Sequence, residues 1–251
     1  VSYGKALAIY RDRFADFSDY TFVFVGAVRP DSLRPLVERW LGALPSTGRR
    51  ESWRDAGVTP PTGAVQKAVR KGLEPKSQTV AIYHGPATFG PRERHTLRSL
   101  TEYVEMRLLD NLREHLGATY SVQVSGTLER LPRERYTIFI QFGSAPERAD
   151  SLFATVEAVI DSVKAGVIDT SDVARVREQQ LRQLEVSLKE NNYWLVNLGA
   201  RVENNEPLEN MLTYGQFIQA LSAEQIQQAA RRYFERANVA RFVLLPERPV
   251  P

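Results

Sequence analysis

Leu108-Leu-Asp-Asn-Leu-Arg-Glu-His-Leu-Gly-Ala-Thr-Tyr-Ser-Val-Gln-Val124 is the stretch on which the fold turns. Leu97, Leu100, Val104, Leu108 and Leu112 recur at three- and four-residue spacing, so Arg92–His115 reads as one long amphipathic helix. Gly117 ends it, since glycine accepts the left-handed backbone that closes a helix. Tyr120, Val122 and Val124 then alternate, which predicts a strand over Thr119–Ser125. This helix-turn-strand corner brings Arg113 and Tyr120 to one edge of a sheet. A guanidinium and a phenol can both donate to a carbonyl oxygen, as polarising a peptide bond requires. The same two residues also have a purely structural reading. A cation near a helix C-terminus complements the macrodipole, and Tyr120 shares its strand face with two valines.

Working outward, Arg135–Phe142 is a second alternating strand that pairs with the first as a hairpin or meander. Ala64–Lys71 and Gln78–His84 are further strand candidates, the latter closed by His84-Gly85-Pro86. Leu152, Phe153, Val156, Val159, Ile160 and Val163 form a helix that stops at Gly166. A following helix runs through Val173, Val176, Leu181, Leu184 and Leu188 towards Trp194. Tyr193 and Trp194, at the end of that stripe, read as core rather than as peptide-gripping aromatics. Ser222 with Gln225 is a capping box for a helix through Ile226, Ala229 and Tyr233, and Val239–Leu245 is a closing strand. At the other end, residues 3–14 read as a helix and Tyr20–Val28 as a strand. Pro30 and Asp31 then open a helix closed by Gly42. The polar, Pro- and Gly-bearing text from Pro45 to Gly63 has neither period and reads as a linker.

The 251 residues are 43% apolar and 25% charged, enough to build a core and to exclude disorder as the main state. The longest apolar stretch, Phe22–Val28, falls far short of the roughly 20 residues of a membrane-spanning helix. Without cysteine there is no disulfide framework, thiolate zinc site or cysteine nucleophile. Thirty-three basic residues against thirty acidic leave +3, spread too thinly to track a phosphate backbone, so no nucleic-acid partner is expected. A sheet-surface RNA binder is disfavoured as well, because Tyr136-Thr-Ile-Phe139 is too apolar on alternate positions. No charged segment leads into an apolar core at the start, so no signal peptide is expected here, and the chain reads as part of something longer.

Phosphate-cradling loops and the G-x-S-x-G elbow are absent. Neither H-E-x-x-H nor H-x-x-E-H occurs. His95 and His115 lie about 30 Å apart along one helix and cannot share an ion, so no metal site is expected in this chain.

One internal echo spans a domain's length. Phe14-Ala-Asp-Phe-Ser-Asp-Tyr-Thr-Phe-Val-Phe-Val25 is similar to Phe234-Glu-Arg-Ala-Asn-Val-Ala-Arg-Phe-Val-Leu-Leu245, a helix end leading into an apolar strand 220 residues on. Such an offset suggests duplicated domains. In addition, Arg113-Glu114-His115-Leu116-Gly117-Ala118-Thr119-Tyr120 resembles the R-E-x-x-G-x-x-Y stretch of the pitrilysin/insulinase/mitochondrial-processing-peptidase family of zinc metallopeptidases. Tyr10–Leu44, with Phe22-Val-Phe-Val-Gly26 and Trp40-Leu-Gly-Ala-Leu-Pro45, resembles the closing segment of that family's preceding domain. Ser222–Leu245 resembles the closing segment of its last domain, and Glu190-Asn-Asn-Tyr-Trp-Leu195 is similar to bacterial members.

The resemblance implies an α+β fold of the processing-peptidase half, a mixed or antiparallel sheet with helices on one face. Residues 1–45 would be the helix-strand-helix tail of a preceding homologous domain, 46–64 a linker, and 65–251 the C-terminal domain with the Arg–Tyr motif. It further implies a substrate-binding, non-catalytic C-terminal portion of a peptide-degrading or peptide-processing metallopeptidase, inactive alone. Its partners would be peptide substrate and a half bearing H-x-x-E-H and zinc, fused or separate. On this resemblance Arg113 holds a substrate carbonyl and Tyr120 helps stabilise the oxyanion, while Glu114 and His115 are assigned no chemistry. A catalytically inactive structural or peptide-binding subunit of the same family is the alternative. The compartment is left open, with export to a bacterial periplasm preferred.

Overall fold

The computed structural model describes residues 2–116 and 122–247, the side chains of 112–116 excepted. The described residues within Val1–Asp55 and Leu184–Leu212 form one compact unit, and those within Ala56–Gln183 and Thr213–Pro251 form a second.

The second unit is built on a five-stranded mixed sheet. Its strands are β1 (Val65–Arg70), β2 (Ser77–Pro86), β3 (Val122–Glu129), β4 (Arg135–Ser144) and β5 (Val239–Leu245), in the order β1-β5-β2-β4-β3. β1 and β5 run parallel, and the other pairings are antiparallel. The expected pairing of the two alternating strands is the β3–β4 ladder, with Val122 opposite Phe142 and Glu129 opposite Arg135. Helix α3 (Pro91–Leu116) crosses one face together with α4 (Ala149–Ala165) and α8 (Ala223–Tyr233), the last preceded by the short α7 (Tyr214–Gln219). Between these layers lie Ala81 and Tyr83 of β2, Ile138, Ile140 and Phe142 of β4, and Leu97, Leu100, Val104 and Leu108 of α3, all almost fully buried. Alternation along each strand sends one side-chain set into this core and leaves the other on the opposite face, on which no helix among this unit's described residues packs.

The helix boundaries have local causes. α4 stops where Gly166 adopts φ 91°, and Val167 N–H donates back to Ser162 O at 3.0 Å. At α8 the capping box is present: Gln225 N–H donates to Ser222 Oγ at 3.3 Å, and Ser222 N–H donates to Gln225 Oε1 at 3.0 Å.

In the first unit, α1 (Tyr3–Arg13) and α2 (Pro30–Trp40) form as the spacing predicts, yet neither buries a single residue. Tyr20–Val28 is not a strand. Its residues follow an irregular path with Phe22, Phe24 and Val28 exposed, because a β-strand needs a ladder partner and the described residues of this unit contain no strand. Asp16 organises the loop that follows α1. It accepts from Ser18 N–H at 2.8 Å, from Thr47 N–H at 2.5 Å and from the Thr47 hydroxyl. Those hydrogen bonds, led by Ser18 and Thr47, hold its carboxyl well below the usual range.

The helix expected to run into Trp194 breaks instead. α5 (Thr170–Ser187) ends, and α6 (Asn191–Asn204) starts afresh after Glu190. Tyr193 and Trp194 therefore lie in the first turn of a new helix and are half-buried rather than core, with Trp194 Nε1 donating to Leu188 O at 2.9 Å.

Candidate functional site

α3 reaches Leu116 and β3 begins at Val122, so the corner read from the sequence is bracketed by both elements. Arg113 falls in the last turn of α3. Its side chain and the whole of Tyr120 lie outside the described residues, as does the Thr119–Ser121 start of the expected strand.

What fixes the corner's frame is described in full. Glu105 Oε2 on α3 accepts from Val124 N–H on β3 at 2.7 Å. Where α3 crosses β3, the strand residue is Gly126, and a Cβ there would stand 2.9 Å from Leu97 Cγ and 3.0 Å from Thr101 Cγ2. Hydrogen bond and close approach together set the helix against the edge strand.

Behind α3 lies a buried polar cluster. Gln180 Nε2 donates to Ser99 Oγ at 3.1 Å and to Glu102 Oε2 at 2.5 Å, while Arg98 Nε donates to Glu102 Oε1 at 2.7 Å. His95 completes it with contacts of 3.4 Å to Tyr214 Oη and 3.5 Å to Ser99 Oγ, its pKa lowered by burial and then by Arg98. A second buried carboxylate, Asp172, is held by Arg107 at 3.0 Å and Arg175 at 2.6 Å. Both sets tie α3 to α5 and are satisfied internally, so their role is structural. Among the described residues, no three His, Asp or Glu side chains gather as metal ligands would. No helix among them is long and apolar enough to cross a membrane.

The helix-free sheet face carries the more suggestive surface. In register across it stand Val80 beside Phe242, Ile82 beside Phe139, and Gln78 beside Leu244. Phe139, Phe242 and Leu244 are exposed. Alternation made these residues legible as one strand face, but only the observed strand order assembles them into one surface.

At the far end of that face is a cavity of about 230 Å³, bounded by the end of β2, the turn before β4 and residues 58–60. His84 lines it, a residue read from the sequence as part of a chain-turning tripeptide and, with His95 and His115, as a histidine without a metal-binding partner. His84 is 8% exposed, and its Nε2, itself buried from solvent, has no hydrogen-bond partner among the described residues.

Comparison with known proteins agrees with the fold. The sequence profile of the family described as the peptidase M16 inactive domain matches residues 1–180. A zinc protease PQQL-like protein of Arabidopsis thaliana is 27% identical over 206 residues, 76% of this chain and 21% of that protein. The crystal structure of the periplasmic protease PqqL from Escherichia coli superposes with a TM-score of 0.79 at 22% identity, covering 97% of this chain and 27% of that one. The first half of the same protease has the fold too, with a TM-score of 0.70 at 11% identity over 88% of this chain and 50% of that one. The chain spans about a quarter of the length of the curated relatives it matches.

Proposed function

The chain belongs to the peptidase M16 inactive-domain family, and from that premise we propose that it is the substrate-binding, non-catalytic part of a zinc metallopeptidase. Peptide lies against the helix-free sheet face. The observation that carries this reading is the exposed apolar row of Phe139, Phe242 and Leu244 on a sheet whose other face is packed with helices. Extended peptide has an apolar side-chain set to cover such a row.

Arg113 donates to a substrate carbonyl and holds the chain in register. The Tyr120 phenol donates to the oxygen that gains charge as the carbonyl becomes tetrahedral. Zinc belongs to the partner half, where it supplies the activated water. The catalytic half is either the same polypeptide or a separate subunit, and export to a periplasm, as for the Escherichia coli protease, is the compartment we assign.

The domain assignment keeps residues 1–45 as the tail of a preceding homologous domain, 46–64 as a linker and 65–251 as the C-terminal domain. Two helices without one buried residue, the second of them amphipathic, and exposed Phe22, Phe24, Leu36 and Trp40, are surface that such a domain would cover. In that setting Phe22–Val25 becomes the counterpart of β5, as the internal echo implies.

The deciding experiment is Tyr120→Phe in the protein with its catalytic half present. Turnover on a reporter peptide falls about tenfold or more, the scale of a lost oxyanion donor. Unchanged turnover overturns the assignment.

A further inference from the structure

The chain leaves the second unit after Gln183 and re-enters it at Thr213. Close to each crossing, a side chain reaches the same histidine–serine pair on α3. Gln180, one turn before the exit, donates from Nε2 to Ser99 Oγ at 3.1 Å. Tyr214, the first residue of α7, brings its hydroxyl to 3.4 Å from His95 Nδ1. Ser99 Oγ lies 3.5 Å from His95 Nε2, so the imidazole links the departing segment to the returning one.

α7 is six residues long, too short to hold itself in water, so it depends on what it packs against. Ile218 is fully buried. The Tyr214 ring meets the imidazole edge-on with centroids 5.6 Å apart, and the Phe217 ring stacks on it at 6.4 Å. Tyr214, Phe217 and Ile218 stand outside the continuous apolar core between helices and sheet, so α7 can open without dissolving that core.

The charged and titratable groups around His95 come from three helices. On α3, Arg98 and Glu102 face it, and Glu102 is committed to Arg98 at 2.7 Å and to Gln180 at 2.5 Å. α7 presents the Tyr214 phenol, which Arg98 also faces, and the Phe217 main chain, with the Arg92 guanidinium 6.0 Å from the Phe217 ring centre. α5 presents the uncharged Gln180. Burial and Arg98 oppose a proton on the ring, and they outweigh Glu102 and the Phe217 main chain, which favour one.

We propose that His95 is a pH-sensitive clasp on the returning segment: the neutral imidazole holds α7 on α3, and acid releases α7 by protonating the ring that opening exposes. The proton needs no path into the closed contact, because the open state takes it up and is favoured by doing so. In the closed state an imidazolium would lie buried beside a guanidinium, and its Nδ1 would no longer accept from the Tyr214 hydroxyl.

The clasp does not rest on the peptide-binding reading, and its test reads neither turnover nor affinity. Hydrogen exchange is measured at pH 7.5 and 5.5 on the protein with its catalytic half present, with rates corrected for the intrinsic pH dependence of exchange. The amides of Gln216 and Ala220, bonded to Thr213 O at 2.9 Å and Gln216 O at 3.0 Å, report on α7. They exchange faster than the amides of α4 at both pH values, as local opening requires. Their corrected rate rises several-fold at pH 5.5, up to about tenfold, the limit for an open-state imidazole titrating near 6.5. His95→Gln, which keeps hydrogen-bonding groups but takes no proton, removes the rise. Equal corrected rates at the two pH values in the unmodified protein overturn the proposal and need no variant to fold. So do α7 amides that exchange no faster than those of α4, and a rise that persists in folded His95→Gln.

Discussion

The carboxylate of Glu105 accepts the main-chain N–H of Val124 at 2.7 Å, so a helix side chain engages an amide of the sheet's edge strand. Edge amides left open invite another chain to pair with them. Glu105→Ala removes a charge-assisted bond from a half-buried position, and the expected loss is about 1.5–3 kcal/mol. Urea unfolding measures it, together with faster hydrogen exchange at Val124. An unchanged midpoint with unchanged exchange would show that the bond contributes nothing.

Two glycines give opposite signs for one substitution. Gly126→Ala drives a methyl to 2.9 Å from Leu97 Cγ, and Leu97 is 1% exposed with nowhere to go. Overpacking there costs about 1–3 kcal/mol. Gly199→Ala, inside α6 and with nothing within 4 Å of the new methyl, gains about 0.5–1 kcal/mol from helix propensity. Thermal melts of the pair suffice, and like signs would contradict the packing described.

His95 makes stability depend on pH. Burial, then Arg98, lowers its pKa in the folded protein below the ordinary 6.5. The unfolded chain therefore takes up a proton that the folded one resists, and stability falls as pH drops through and below that value. Urea midpoints between about pH 7.5 and 5.5 should slope downwards towards acid, the normal histidine pKa lying inside that window. His95→Gln should flatten the slope, and an identical slope in the variant would remove His95 as its source.

Arg113→Ala separates binding from folding. In the protein with its catalytic half, peptide affinity should weaken about tenfold, a loss of ~1.4 kcal/mol. The melting temperature should stay within about 4 °C. A large drop in melting temperature with unchanged KM would instead assign the guanidinium to the structural role of balancing the α3 dipole.

Much of the fold was legible because periodicity reports burial. Leu97, Leu100, Val104 and Leu108 were read as one helix face, and all are buried in α3. Neighbourhood across the sheet is a different kind of information. Alternation tells which residues of Val239–Leu245 share a face, but nothing in the strand says that it lies between β1 and β2. Tyr20–Val28 failed for a related reason: its aromatic and β-branched residues suit a strand, and composition cannot supply the partner that makes one. The break after Ser187 was hidden by the apolar stripe continuing past it, although Asn191 and Asn192 mark a new helical start. Of the candidate site, the Arg113–Tyr120 spacing was visible as a motif. The His84 cavity was not, because residues 58–60, 84–86 and 132–135 meet only through the tertiary fold.

The strand order also constrains how the protein is made. β5 occupies an interior place in the sheet, yet it emerges from the ribosome after every other strand. Until Val239 and its successors are synthesised, β1 has no neighbour at all and β2 shows a bare flank. A nascent or prematurely terminated chain thus presents unpaired strand edges with which other chains can pair.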